Sequence, residues 1–251
     1  DGYTAKLGGC DASFSYSSAT YCTGNPDETP TITGDAGGTF TEGSGNIVFV
    51  SAATGEIDLT ASTVGGPYTI TYTAPGACFS TFNVTITANA PPSFTLCPAS
   101  SVVSTDPGLC TAVVTYTTPT ATDDCGTVTV VQTDASGLTS GDAFPVGTTT
   151  IEYTATDLAG NTLICSFDII VQDNQFPTIS CPADISQGND AGICGAVVTY
   201  SAPVGTDQCA GAVTTQIAGL ASGATFPIGT TTNTFQVADA SGNTTTCSFD
   251  V

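Results

Sequence analysis

The sequence predicts an all-β protein made of tandem immunoglobulin-like β-sandwich modules in a linear array. Three observations carry this prediction: a long internal repeat, short runs of alternating apolar residues, and no helical period anywhere in the chain. The repeat is a turn, a strand, an acidic loop and a second strand, in one order. It runs from Phe144 to Asp168 and returns from Phe226 to Asp250. Self-similarity at a fixed period is typical of modular arrays.

Alternation marks the strands of the first module. Two runs in which apolar residues alternate with Thr or Asn are Tyr68, Ile70, Tyr72 and Phe82, Val84, Ile86. Gly, Pro and Asn separate such runs, as expected of strands and turns.

The later modules repeat one strand pattern. Their expected inward-facing residues are Ala112, Val114, Tyr116, Ile151, Tyr153, Ala155, Phe167, Ile169 and Val171, and Ala196–Tyr200 of the third module repeats the strand at 112–116. Asn233 departs from the pattern, because it stands where Ile151 stands in the earlier copy. The third module is also two residues shorter between Cys209 and Gly219.

Proline-containing linkers separate the modules. Ala90-Pro91-Pro92 and residues 173–177 should keep successive modules extended rather than collapsed on each other. We therefore expect domains at residues 1–89, 90–172 and 173–251. The sequence stops at Val251 inside an expected strand, so we expect a fragment of something longer. Polymerisation by strand exchange is one alternative that this strand suggests.

The charge balance limits the partners. The formal net charge is -21, with 22 acidic residues against one base, Lys6. Nucleic acid and anionic membrane surfaces both require cations on the protein, so both are excluded as partners. No run of 18 apolar residues predicts a membrane-inserted helix. Calcium is the foremost charged partner to expect, while solubility and mutual repulsion explain the acidity without any ligand.

The cysteines predict an extracellular setting. There are 11, none of them spaced C-x-x-C, and they recur at matching positions in the repeats. This pattern is typical of a disulfide framework in an oxidising environment.

Residues 94–171 and 178–251 resemble the hyalin repeat (HYR) domain, an immunoglobulin-like module of extracellular adhesive proteins. The motifs that carry the resemblance are Cys97-Pro98, Asp123-Asp124-Cys125, Phe144-Pro145-x-Gly147-Thr148-Thr149, Asp157-x-x-Gly160-Asn161 and Cys165-x-Phe167, with their counterparts from Cys181 to Phe249. Residues 11–87 are similar to an immunoglobulin-like repeat of giant bacterial surface proteins exported by the type IX system. The carriers there include Phe14-Ser-Tyr16, Tyr21-Cys22 and Tyr68-Thr-Ile-Thr-Tyr72.

The resemblance implies a disulfide pairing. It implies that the first and last cysteine of each HYR-like copy are bonded, as Cys97–Cys165 and Cys181–Cys247. The two cysteines that remain in each copy are then expected to form Cys110–Cys125 and Cys194–Cys209. In the first module we expect Cys22–Cys78. Cys10 is then left over, with a partner either in an upstream domain or in another chain.

Acidic loops are the candidate metal site. The candidate calcium ligands are Asp123, Asp124, Asp157, Asp173, Asp207 and Asp239. An immunoglobulin-like topology places these loops at one end of a module beside a linker, and hard oxygen ligands suit calcium. The alternative is that Asp157 and Asp239 only cap their own turns by side-chain hydrogen bonds.

Enzymatic chemistry finds no support in the sequence. Histidine is absent, and no nucleophile elbow, phosphate-binding loop or dinucleotide fingerprint occurs, so no catalytic residue and no cofactor other than calcium is expected. The expected function is a structural or adhesive stalk or filament segment of an extracellular or cell-surface protein. Its expected partners are neighbouring modules of the same or identical chains. The alternatives are a module that binds surface glycans or proteins through a loop end, and an accessory array of a secreted hydrolase.

Overall fold

The computed structural model describes residues 9–251, and within them it contains 21 strands and no helix. Consequently none of the described residues forms a helix that could span a membrane. The strands of residues 9–89 are β1 Phe14–Ser15, β2 Thr20–Cys22, β3 Thr31–Ile32, β4 Thr39–Glu42, β5 Phe49–Ser51, β6 Glu56–Ile57, β7 Gly65–Thr73 and β8 Phe79–Thr87. Those of residues 90–172 are β9 Ser93–Leu96, β10 Ser101–Ser104, β11 Thr111–Val113, β12 Thr120–Thr122, β13 Thr129–Gln132, β14 Ala143–Pro145, β15 Gly147–Thr156 and β16 Thr162–Gln172. Those of residues 173–251 are β17 Gly195–Val197, β18 Val213–Ala218, β19 Thr225–Pro227, β20 Thr232–Ala238 and β21 Thr244–Asp250. We call these three stretches the first, second and third repeat.

The first repeat is built on a four-stranded sheet with the order β2-β8-β7-β4. β7 and β8 are antiparallel, with Tyr68 opposite Val84 and Ile70 opposite Phe82. The alternation expected from the sequence is confirmed, because Ile70, Tyr72 and Val84 are fully buried while the Thr residues between them are not. Two smaller sheets, β1-β3 and β5-β6, add the remaining pairs.

Aromatic side chains fill the core of the first repeat. The Phe14 ring meets Phe40 and Tyr72 edge to face, at centroid distances of 5.3 and 5.8 Å. Tyr16 is buried and its hydroxyl donates to the Gly55 carbonyl oxygen at 2.5 Å. The aromatic signature of this stretch is therefore a packing signature.

The second repeat has a four-stranded sheet with the order β10-β16-β15-β13 and two short pairs, β11-β14 and β12-β9. The residues predicted to face inward on β15 and β16 are buried, namely Ile151, Tyr153, Ala155, Phe167, Ile169 and Val171. The period-2 pattern thus identified these core residues.

The third repeat reproduces part of this arrangement. Ala196 lies opposite Phe226 in the β17-β19 pair, as Ala112 lies opposite Phe144 in β11-β14. β18, β20 and β21 form a three-stranded sheet. In the repeated Phe-Pro-x-Gly motif the Phe is core, and the glycines have φ values of +116° (Gly147) and +114°, so the motif is a turn that starts a strand.

Asn233 has a packing reason for replacing Ile151. Its side chain is fully buried, and its Oδ1 accepts hydrogen bonds from the Leu220 backbone N–H at 2.8 Å and from Gln216 Nε2 at 3.2 Å. The shortened stretch before Gly219 brings that turn against β20, and a Cβ on Gly219 would lie 2.1 Å from Asn233 Oδ1. A polar side chain is needed here to satisfy the turn's N–H.

The described chain divides into two compact units. One comprises the residues up to Cys97 with 119–133 and 152–165, and the other comprises 98–118, 134–151 and 166–251. Each of the contacts described below lies within one unit.

Candidate functional site: the repeat junctions

Three disulfides close individual repeats. Cys97 bonds to Cys165 and Cys181 to Cys247, as the family resemblance implies. Cys10, which the sequence left without a partner, bonds to Cys78 in the first repeat. Each bond ties the beginning of a repeat to the neighbourhood of its last strand.

Two further disulfides link one repeat to the next. Cys22 of the first repeat bonds to Cys125 of the second, and Cys110 of the second bonds to Cys209 of the third. The expected pairs Cys22–Cys78, Cys110–Cys125 and Cys194–Cys209 are therefore wrong. Cys194 is the free cysteine among residues 9–251.

The physical reason for the correction is that a disulfide requires close Cα atoms, which sequence spacing does not report. The Cα atoms of the two linking pairs lie 5.7 and 5.1 Å apart. The expected pairing treated each repeat as closed on itself. In the structure, the turn that carries Cys125 is contacted by the preceding repeat, since Asn25 Nδ2 donates to the Cys125 carbonyl oxygen at 3.0 Å.

The linking cysteines of the later repeats lie in an Asp-x-Cys turn. Asp123 Oδ1 accepts from the Cys125 backbone N–H at 2.8 Å, and Asp207 Oδ1 accepts from that of Cys209 at 2.7 Å. This is the Asx turn that a short carboxylate forms with the backbone two residues on. The second carboxylate oxygen of each Asp is buried and has no hydrogen-bond partner in the described chain.

The junction between the first two repeats also contains a close backbone approach. Gly24 has φ +83°, and a Cβ there would lie 2.7 Å from the Ala159 Cβ. Any larger residue would push the turn that follows Cys22 away from the Asp157–Asn161 loop. Asn89, which also reaches this turn, donates its backbone N–H to Thr23 Oγ1 at 3.2 Å.

At the next junction Gln175 clamps the 105–109 loop. Its Nε2 donates to Thr105 Oγ1 and to the Asp106 carbonyl oxygen, both at 2.9 Å, and its Oε1 accepts from the Gly108 N–H at 2.8 Å. The linker is thereby fastened to the loop that precedes Cys110.

An acidic pair lies beside the second linking disulfide. Carboxylate oxygens of Asp173 and Asp207 and the Cys209 sulfur all lie within 4.8 Å of one another. Asp173 is only 5% exposed. Its Oδ1 accepts from the Gln175 N–H at 3.0 Å, whereas its Oδ2 has no partner in residues 9–251. A matching group at the first junction consists of Asp123, Asp124 and Cys125.

Asp157 and Asp239 have a different setting. Each accepts the backbone N–H of the Asn four residues later on Oδ1 and that Asn's side-chain amide on Oδ2, at 2.8–2.9 Å. Burial raises the pKa of each carboxyl, but these bonds and further backbone N–H groups lower it more, so the net pKa lies below the usual value. Asn243 also donates to the Asp173 carbonyl oxygen at 3.0 Å, which connects the Asp239 turn to the linker.

The chemistry available at these junctions is that of a hard cation site. The nearby sulfurs are in disulfides and are not thiolates, so oxygen atoms are the ligands on offer, which suits calcium rather than zinc. Sequence reasoning missed Asn25 and Gln175, which lie outside the family motifs. Asn89 corresponds to Asn174 of the next linker, since Ser93 pairs with Thr122 as Thr178 pairs with Thr206.

The family model of the HYR domain matches residues 87–171 and 172–251, which together make up more than half of the chain. The chain belongs to the HYR domain family. Its two HYR domains contain both Asp-x-Cys turns, and the first repeat lies almost entirely outside the match.

Two hyalins are relatives of these HYR domains. The chain is 36% identical over 178 residues to hyalin of Strongylocentrotus purpuratus and 31% identical over 196 residues to hyalin of Lytechinus variegatus. The matches cover 68% and 74% of the chain but only 14% and 36% of those proteins, so the chain spans a minor part of the relatives it matches. Among solved structures, mouse cadherin-23 EC22-24 aligns over 96% of the chain and 98% of its own length, at 16% identity and a TM-score of 0.35. Likeness at this level carries no weight for fold or function.

Proposed function

We propose that this chain is a load-bearing segment of an extracellular adhesive protein, in which disulfides hold each repeat closed and fasten it to the next. The observation that carries the proposal is the set of two linking disulfides, Cys22–Cys125 and Cys110–Cys209. A binding or catalytic module needs only its own fold, whereas a cross-link between successive repeats resists separation under tension. The proposed partners are neighbouring repeats and other proteins of the same surface.

The energetic effect of these bonds is large for small domains. In the chain-entropy model a closed loop of 68 residues, such as that of Cys97–Cys165, stabilises the fold by about 4 kcal/mol. A loop of 103 residues, that of Cys22–Cys125, gives about 5 kcal/mol when taken alone. The loops overlap, so these values do not add.

The proposal is tested by using the chain as a tether. Beads are attached to glass through tags at its two ends and held in flow that contains a non-specific protease. Oxidised tethers should survive at least ten times longer than tethers treated with a reducing agent, because an unfolded segment is cut and a folded one is not. Equal survival would remove the basis for a load-bearing role. A tether made of a disulfide-free polypeptide controls for effects of the reductant on the attachment.

For residues 11–87 we propose an immunoglobulin-like repeat of the type IX-exported surface proteins, on the aromatic and glycine motifs given above. The full-length gene product tests this assignment, since it would carry further repeats of the same kind and an export signal.

We further propose that calcium binds beside the linking disulfides, with Asp173 and Asp207 at one junction and Asp123 and Asp124 at the other. The supporting observation is the buried, unpartnered Oδ2 of Asp173 within the described chain, next to the Asp207 carboxylate. Asp173 is buried and Asp207 is half-buried, and the Oδ2 atom of each is itself buried. Two carboxylates so close together in this setting are costly without a cation. Backbone carbonyls and water would complete the six to eight oxygens that calcium takes. We assign Asp157 and Asp239 to their turns.

Thermal unfolding with calcium and with a chelator tests this site. At a calcium concentration 100 times the Kd, the native state should gain about 2.7 kcal/mol for each site. Asp173→Asn and Asp207→Asn should remove most of the gain at that junction, while Glu56→Gln, which removes one charge elsewhere, should keep it. Identical melting curves for the unaltered chain in both solutions would reject the site.

A further inference from the structure

Cys194 is placed in the third repeat as Cys110 is placed in the second. The two cysteines are 84 residues apart, as are Cys125 and Cys209, so they hold one position in the repeat. Cys110 is bonded to the Asp-x-Cys turn of the following repeat. Cys194 is exposed, and it is the free cysteine of residues 9–251.

The loops that present the two cysteines have the same hydrogen bonds. The Asp106 N–H donates to the Thr111 carbonyl at 2.8 Å, and Asp106 Oδ2 accepts from the Val113 N–H at 3.0 Å. Likewise, the Asp190 N–H donates to the Gly195 carbonyl at 2.8 Å, and Asp190 Oδ2 accepts from the Val197 N–H at 2.9 Å. The loop around Cys194 is therefore built in the form that bonds a following repeat.

The turn that bonds to the preceding repeat is the same at both junctions of the chain. Cys125 and Cys209 both lie in Asp-x-Cys turns, and each bonds a cysteine of the repeat before it. Cys22, which reaches the first of these turns, comes from β2 of a repeat outside the family match. The constant partner is thus the Asp-x-Cys turn, whatever repeat precedes it.

A second oxidised copy of this chain does not offer such a turn. Its Cys125 and Cys209 are both already bonded. The partner must be an HYR domain whose Asp-x-Cys cysteine is still a thiol. A Gln at the position of Gln175 would in addition clamp the loop at Asp190 as Gln175 clamps the loop at Asp106.

We propose that Cys194 is a covalent coupling site for a further HYR domain, which bonds to it through the cysteine of its Asp-x-Cys turn. The bond forms by thiol–disulfide exchange with a small-molecule disulfide such as oxidised glutathione. The Cys194 thiolate attacks the small disulfide and releases one glutathione thiol. The partner cysteine then attacks the mixed disulfide and releases the second, so two protein thiols are oxidised and one disulfide is reduced. This inference deepens the proposed function, because it names the partner of a junction.

The test extends the full chain by one HYR domain. A second copy of residues 170–251 is joined after Val251, which keeps the spacing that separates the two natural HYR domains. After refolding with a glutathione redox buffer, peptide mapping without reduction should find Cys194 bonded to Cys209 of the added copy. The free thiol should move to Cys194 of the added copy, so the chain keeps one thiol.

Several outcomes would overturn the proposal: Cys194 still free, with three thiols in the chain; Cys194 of the added copy bonded to Cys209 of the same copy; or Cys194 bonded to Cys194 of another molecule. Cys194→Ser in the extended chain is the matched control and should leave Cys209 of the added copy as a thiol. If the first extended chain misfolds, a second one with residues 86–171 added instead is used. In it, Cys194 should bond to Cys125 of the added copy. Intact Cys97–Cys165 and Cys110–Cys209 bonds certify folding in each case. This thiol map is independent of tether survival, so failure of the coupling site and failure of the load-bearing role are distinguishable.

Discussion

Reduction should lengthen the fully stretched chain several-fold. When both ends are pulled until every strand has unfolded, the limit of extension is the shortest covalent path, and disulfides shorten that path. The path leaves the backbone at Cys10, Cys97 and Cys181 and rejoins it at Cys78, Cys165 and Cys247. About 50 residues of backbone remain in it, which at about 3.5 Å per residue, plus about 6 Å for each bridge, gives about 190 Å. The reduced chain of 251 residues reaches about 880 Å.

Because of the linking disulfides, the maximum extension of the oxidised chain should increase only slightly when one of the other disulfides is removed. In a Cys97→Ser/Cys165→Ser variant, the shortest path runs instead through Cys22–Cys125 and Cys110–Cys209. It contains about 70 residues of backbone, so the limit rises only to about 250 Å. Without the two linking disulfides, removing Cys97–Cys165 would lengthen the extension limit by more than twice as much.

Optical tweezers with tags at the two chain ends provide the assay. Contour lengths fitted to force–extension curves should be about 190 Å for the oxidised chain, about 250 Å for the variant and about 880 Å after reduction. An oxidised contour length of several hundred ångströms would show that the bonds do not join these residues. A variant length well above 250 Å would refute the linking pairs in particular.

Three further results are expected. Because the folded-state pKa of Asp157 and Asp239 lies below the ordinary value of about 4, the stability they provide is complete above that pH and is lost as the pH falls through the folded pKa. Urea unfolding of an Asp157→Asn/Asp239→Asn variant should show a weaker loss between pH 4 and pH 2, and an unchanged slope would contradict this. Asn233→Ala should destabilise the protein by about 1–3 kcal/mol, since it leaves the part-buried Leu220 N–H without its acceptor; a neutral effect in chemical denaturation would disprove that role. Phe144→Ala removes a fully buried ring and should cost about 3–5 kcal/mol, and a cost below about 1 kcal/mol would mean that the ring is not core.

The fold was largely predictable because its signals are local. Alternation along β15 and β16 identified buried residues such as Ile151 and Ile169, since successive side chains of a strand point to opposite faces. The repeated Phe-Pro-x-Gly turn could likewise be predicted, because positive φ selects glycine wherever the turn recurs. The sequence showed that Asn233 departs from the core pattern. It could not show why, because the reason depends on which turn packs against this side chain.

The sequence by itself determined the repeat, the strands and the acidic charge of the chain, and its resemblance to the HYR domain implied the bond between the first and last cysteine of each copy. Only the tertiary structure decided that Cys22 and Cys110 bond into the following repeat, that Cys10 is paired and Cys194 free, and that Asp173 rather than Asp239 has an unpartnered buried oxygen within the described residues. The reason is physical. Strand and turn propensities act between residues a few positions apart, whereas the linking disulfides join residues about a hundred positions apart and Asp173 meets Asp207 across 34 positions. These distances are fixed when repeats pack and not by spacing along the chain.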